Sequence, residues 1–229
     1  MSASDATLEI PLSLYVHWPW CVRKCPYCDF NSHALNSRSP EEAEGHYVEA
    51  LTQELTRQVE SFPMSGRAIS TVFIGGGTPS LMSPESIDRL LRAVDKRVGL
   101  SANAEVTLEA NPGTVERGKF EDFRAAGINR LSIGVQSFQD DKLKVLGRIH
   151  SGDEALQAIR LAASAFDNFN LDFMFGLPNE TLAELTEEVK RAVGLGATHL
   201  SFYQLTIEEG TAFAKRLPAG LPDEDKLAD

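Results

Sequence analysis

Apolar residues recur along the chain in two alternating rhythms. Short runs rich in β-branched and aromatic residues, LSLYVH (12–17), STVFIG (70–75), AEVTLEA (104–110), RLSIGVQ (130–136), NLDFMFG (170–176) and HLSFYQL (199–205), read as strands. Between them, longer stretches with a helical apolar period predict helices near 40–61, 84–97, 114–126, 152–166 and 180–194, plus a short one near 139–146. SPEE (39–42) and SPES (83–86) each place Ser at an N-cap, Pro at the first helical position and acid in the first turn. Six strands, each feeding a crossover helix, predict a parallel sheet wound in one hand, either doubly wound or an arc of a barrel.

Parity within the strands favours the arc. Val106 and Leu108 alternate with Glu105, Thr107 and Glu109, and Leu131, Ile133 and Val135 alternate with Ser132, Gly134 and Gln136. A strand covered by helices on both sides reads as continuously apolar, so one polar face fits strands whose inner side lines a ligand cavity. The same parity sets Tyr15 and His17 on one face of the first strand and puts Asp172 between Leu171 and Phe173. Polar residues recurring near the C-terminal ends of several strands stand where barrel active sites are built. The expected fold is α/β, a partial (β/α)6 TIM-like barrel.

Composition trims the functional classes. A 229-residue chain with 42% hydrophobic residues can bury the core of one large α/β domain. With 33 acidic against 22 basic residues, net charge -11, nucleic acid or an anionic bilayer would need a local basic patch, and the sequence has none. No apolar run approaches the roughly 20 residues of a membrane span, and MSASDATLEI has neither a basic n-region nor an apolar h-region. The expectation is a cytoplasmic protein without an integral membrane segment or a nucleic-acid partner. The segments LNSRSPEE (35–42) and LPAGLPDEDKLAD (217–229) read as polar, Pro-containing connections, and PDEDKLAD as the capped start of a further helix.

All three cysteines fall in one window, HWPWCVRKCPYCDFNSH (17–33), as Cys21, Cys25 and Cys28, directly after the first strand. In a reducing compartment such a cluster points to metal or redox chemistry rather than a disulfide. A structural zinc site would need a fourth ligand, which His17 or His33 could supply. A catalytic nucleophile with two incidental neighbours is another reading. Iron–sulfur clusters normally take four cysteines, and one given only three keeps an iron open to a small-molecule ligand. At the end of the second strand, GGGTPS (75–80) offers backbone without side chains, which can approach a ligand and present peptide groups. It lacks the Lys and spacing of a phosphate-binding P-loop.

C-x3-C-x2-C with Tyr27 before the last Cys resembles the signature of the radical S-adenosylmethionine (radical SAM) superfamily. That resemblance implies that Cys21, Cys25 and Cys28 bind a [4Fe-4S] cluster whose fourth iron is chelated by S-adenosylmethionine (SAM), and that Gly76, Gly77 and Thr78 of the glycine motif hold the methionine amino group. YVHWPWC, LEANPG, IGVQSF, LGRIHS and LDFMFGLP are similar to motifs of the branch containing oxygen-independent coproporphyrinogen III oxidase and its relatives. By that likeness Tyr15 sits against SAM, and Glu109, Gln136, Arg148 and Asp172 hold its ribose, its carboxylate or the substrate side. The pairing is chemically sound, because carboxylates accept from hydroxyls and Arg binds a carboxylate.

Within the branch, LSFYQLTIEEGT and DFMFGLPNET are similar to its heme-chaperone members. The decarboxylating enzymes carry another Cys two residues after the third cluster ligand, where this chain has Phe30, and an N-terminal extension, where this chain starts its first strand near residue 12. The resemblance therefore implies a protein that binds cluster and SAM, carries heme as cargo and passes it to heme-dependent respiratory proteins. An electron donor of flavodoxin or ferredoxin type belongs to the same expectation. Residues 1–216 form the expected radical SAM core. Residues 217–229 begin a C-terminal region, lying beyond this chain, in which the family carries an H-N-x-x-Y-W motif implicated in heme binding. His46, His150 and His199 read as helix-face, capping or core residues.

Overall fold

A computed structural model describes residues 10–35, 40–62, 66–114 and 119–228. The chain enters as β1 (Leu12–Trp18) and then makes a short parallel pair, β2 (Trp20–Cys21) with β3 (His33–Ala34), around the cysteine window. It continues as α1 (Pro40–Ser61), β4 (Ile69–Gly76), α2 (Pro84–Arg97), β5 (Leu100–Ala110), α3 (Lys119–Ala125) and β6 (Arg130–Gln136). After α4 (Asp140–Val145) and α5 (Gly152–Ala165) come β7 (Phe169–Phe175), α6 (Leu182–Val193) and β8 (His199–Gln204). Two short helices, α7 (Ala212–Lys215) and α8 (Glu224–Ala228), end it. The second of these is the helix whose start PDEDKLAD signalled, and the Asp223 carboxylate accepts from Lys226 N at 3.0 Å.

Six strands form one parallel sheet in the order β1-β4-β5-β6-β7-β8. Strand order follows chain order without reversal, as in a barrel arc and unlike a doubly wound sheet with its switch point. The sheet bends: Phe73 of β4 and Ser201 of β8, four strands apart, line one cavity. All six predicted strands and six predicted helices are present, each shifted by a few residues at most except α3, which starts later than expected after a 3-10 turn at Pro112–Thr114. Residues 115–118 of that prediction, and the predicted N-cap Ser39, lie outside the described residues.

Parity sorts the side chains to the two faces of the sheet. Val72, Ile74, Leu108, Leu131, Ile133, Leu171 and Phe173 face outward and bury against Ile87, Leu90, Phe123 and Ile159 of the surrounding helices in one core. Each fully buried side chain of this size contributes roughly 1.5–3 kcal/mol. The alternate positions point into the arc. Helix starts are fixed locally: Ser83 Oγ accepts from Ser86 N, while Ser151–Glu154 and Thr181–Glu184 are complete capping boxes. A second, smaller cluster of Leu146, Met174, Leu177, Leu205 and Phe213 involves Tyr27 and Leu221. It joins the last part of the chain to the cysteine loop, and Phe213 N donates to Pro26 O at 3.0 Å.

Candidate functional site

The inward-pointing residues and the cysteine loop enclose a cavity of about 620 Å³, lined by all three cysteines and by residues of β4 through β8. That volume lies within the usual range for small-molecule sites. The loop is held by its own bonds. Leu35 N donates to Cys21 O at 2.9 Å and His33 N to Pro19 O at 2.7 Å, while Lys24 Nζ donates to Phe30 O at 2.8 Å and Ser32 O at 3.1 Å. Burial pushes the Cys21 thiol up, opposed by hydrogen bonds from Thr78 and Ser32. Ser32 Oγ stands 3.7 Å from Cys28 Sγ, and Arg148 Nη1 donates to Cys25 Sγ at 3.7 Å.

Among the described residues, no three His, Cys, Asp or Glu side chains converge as a ligand set for a single metal ion. The two histidines that could complete a zinc site are occupied otherwise. His17 Nδ1 faces Tyr15 OH at 3.2 Å and its Nε2 donates to Asn31 O at 2.9 Å. His33 is exposed, with its Nε2 3.2 Å from Asn31 Oδ1. His46 is exposed on α1, His199 is exposed at the start of β8, and His150 is buried with Nε2 3.1 Å from Val135 O. Three thiols without a fourth donor suit a centre that takes its last ligand from a small molecule.

Beside the thiols, the glycine motif forms a cradle in which side chains would have no room. A Cβ on Gly76, whose φ is +113°, would lie 2.6 Å from the His17 ring, and one on Gly77 would lie 2.6 Å from Trp20 O. Gly77 N and Thr78 N donate to Trp18 O and Trp20 O, so their amides lock the turn to the start of the cysteine loop. Gly76 N donates to Glu109 Oε2 at 3.0 Å. Burial, and then the neighbouring Asp172, push the Glu109 carboxyl up to about 7 against that hydrogen bond.

The floor of the cavity is a wired polar ladder. Asp172 accepts from Ser132 Oγ at 2.7 Å and Asn170 Nδ2 at 2.7 Å, and Ser201 Oγ donates to Asn170 Oδ1 at 3.0 Å. Gln136 sits at a register shift between β6 and β7 with φ +67°, which turns its amide inward to accept from Tyr203 OH. Burial raises the Tyr203 and Tyr27 phenols well above the ordinary value. Gly134 is the space-maker, since a Cβ there would come within 2.8 Å of Gln136 Nε2 and 3.3 Å of Arg148 Nη2.

Cys21, Cys25, Cys28, Tyr27, Gly76, Gly77, Thr78, Glu109, Gln136, Arg148 and Asp172, all singled out in the sequence, line this one cavity. Tyr15 stands at its edge, exposed, stacked on Phe73 with 6.2 Å between ring centres. Ser132 and Gly134, placed by parity on the polar strand face, line it as well, whereas sequence reasoning missed Asn170, Ser201 and Tyr203, for which inward parity on strands already assigned was the signal. The set can ligate a cluster through sulfur, approach a ligand with bare backbone and accept from hydroxyl groups through carboxylates.

The pattern of the Radical SAM superfamily matches residues 15–192. Heme chaperone HemW of Haemophilus influenzae is 53% identical over 222 residues, covering 96% of this chain and 57% of the relative. Heme chaperone HemW of Escherichia coli is 52% identical over 220 residues, with the same coverage of 96% and 57%. The chain thus spans little more than half the length of these relatives. Among solved structures, coproporphyrinogen III oxidase (HemN) from Escherichia coli, described as a radical SAM enzyme, superposes with a TM-score of 0.82 at 30% identity, over 94% of this chain and 49% of that one. Among the described residues, no helix is long and apolar enough to cross a membrane.

Proposed function

The chain belongs to the radical SAM superfamily, and from that premise we propose that it is the cluster- and SAM-binding core of a heme chaperone, acting in the cytoplasm and handing heme to heme-dependent respiratory proteins. The observation that carries the reading is the pairing of three thiols with a side-chain-free glycine cradle on one cavity. The similarity to heme chaperones at 53% and 52% identity supports the cargo.

In this reading Cys21, Cys25 and Cys28 hold a [4Fe-4S] cluster. Gly76, Gly77 and Thr78 receive the amino end of SAM, and Glu109, Gln136, Arg148 and Asp172 take its hydroxyl and carboxylate groups, with Tyr15 and Tyr27 packed alongside. The chemistry that a bound cluster and SAM would supply is one-electron cleavage of a carbon–sulfur bond. The chain's own residues bind, orient and exclude water: the cysteine loop roofs the cavity, and the Ser132–Asp172–Asn170–Ser201 ladder fixes the carboxylate below. The core extends over residues 1–216. Heme as cargo and an electron donor of flavodoxin or ferredoxin type are the partners of this reading.

Anaerobic reconstitution with iron and sulfide should load about four irons per chain and give broad visible absorption, and Cys25→Ser should abolish it. Stoichiometric zinc without sulfide in that preparation would refute the reading. A second reading, oxidative decarboxylation of a porphyrinogen, is favoured by the TM-score of 0.82 to a coproporphyrinogen III oxidase. Two assays separate them: a chaperone binds heme stably and transfers it, whereas a decarboxylase releases a vinyl product from coproporphyrinogen.

A further inference from the structure

Arg148 follows α4 on a turn built to press against the cysteine loop. Gly147, at φ +68°, lies so close to Pro26 that a Cβ would come within 2.6 Å of its Cδ. Arg148 N donates to Leu143 O at 2.9 Å, which anchors the turn. The side chain then runs between the loop and the sheet. Nη2 donates to Gly134 O at 2.9 Å in the space that a side chain at Gly134 would fill, and Nη1 donates to Cys25 Sγ at 3.7 Å. A guanidinium keeps its proton at any working pH, so the group held here is a fixed cation.

The other donors near the thiols, Ser32 and Thr78, are neutral hydroxyls. We propose that Arg148 sets the reduction potential of the cluster by holding a fixed positive charge on the Cys25 sulfur. The inference rests on the cluster-binding reading and goes beyond a role in gripping SAM. Reduction adds one electron, delivered by an external low-potential donor, to a centre whose thiolates already carry negative charge. A cation and its N–H···S hydrogen bond stabilise the more negative form and raise the potential. The guanidinium is held on the sheet side by Gly134 O and on the loop side by Cys25, so its position does not depend on SAM being bound.

The test is a redox titration of the reconstituted chain without SAM, with dithionite and mediator dyes, followed by electron paramagnetic resonance. Arg148→Met should lower the equilibrium constant for reduction at least tenfold, equal to 59 mV for one electron. Arg148→Gln, which keeps an N–H donor without the charge, should fall between it and wild type. Iron and sulfide content are measured alongside. A potential equal to wild type in a neutral variant with full iron overturns the proposal, even if SAM affinity falls. Should both neutral variants lose iron while Arg148→Lys keeps it, the same electrostatic requirement has been read as cluster retention, which supports the proposal. Loss of iron from all three marks a merely structural residue and overturns it. Wild-type protein that takes up no iron and sulfide defeats the cluster reading itself, a separate result.

Discussion

At the scale of single residues, Glu109 carries the clearest pH signature. Its carboxyl is pushed from the ordinary 4.5 up to about 7, chiefly by burial. Between those values the folded chain holds a proton that the unfolded chain has released. Its contribution to stability is therefore full below about 4.5 and is lost as pH rises through about 7. Relative to Glu109→Gln, wild type should lose on the order of 3 kcal/mol across that window. Urea unfolding of both proteins at either end of the window measures it, and a difference that stays flat or grows with pH contradicts the assignment. The gathering of Cys21, Cys25 and Cys28 on one cavity was legible in the sequence because all three fall within eight residues. The ladder was not. Asn170 meets Ser132 from 38 residues away and Tyr203 meets Gln136 from 67, distances over which spacing carries no signal.

Among the elements, α6 shows how a helix can position the site without touching it. Glu188, buried, projects from α6 so that its Oε1 accepts from Ser137 Oγ at 2.8 Å and Phe138 N at 2.6 Å, the connection between β6 and α4. That connection leads on to Arg148. Glu188→Ala should cost roughly 2–3 kcal/mol, because it leaves a buried backbone donor without its charged acceptor. Thr181→Ala, which removes only a helix cap of α6, should cost about 1 kcal/mol. Denaturant titrations rank them, and a Glu188→Ala loss no larger than the cap variant's would show that water replaces the carboxylate. The Ser83 cap was legible as a local pattern, and the long strands and helices as periods. The two-residue pair β2–β3 is too short to have a period, and it is this pair that frames the thiol loop.

For the whole molecule, strand order and parity in the sequence indicated a curved sheet with a wet interior, because outward positions are apolar and inward ones polar on strand after strand. The second cluster around Phe213 was not foreseen, since it is made of isolated apolar residues from four segments. If cavity, cradle and thiols act as one site, SAM should stabilise only the cluster-loaded chain. At a hundredfold excess over its dissociation constant it should add about 2.7 kcal/mol to the unfolding free energy, and nothing to the cluster-free chain. Thermal unfolding of both preparations checks this, and equal shifts in the two would separate SAM binding from the cluster.

The bond from Phe213 N to Pro26 O spans most of the polypeptide. It has a consequence for biosynthesis. A ribosome releases the thiol loop early and the residue that latches it late, so the loop reaches its final shape only once the last strand has emerged and docked. In the cluster-binding reading, delivery of iron and sulfide then follows translation of this region.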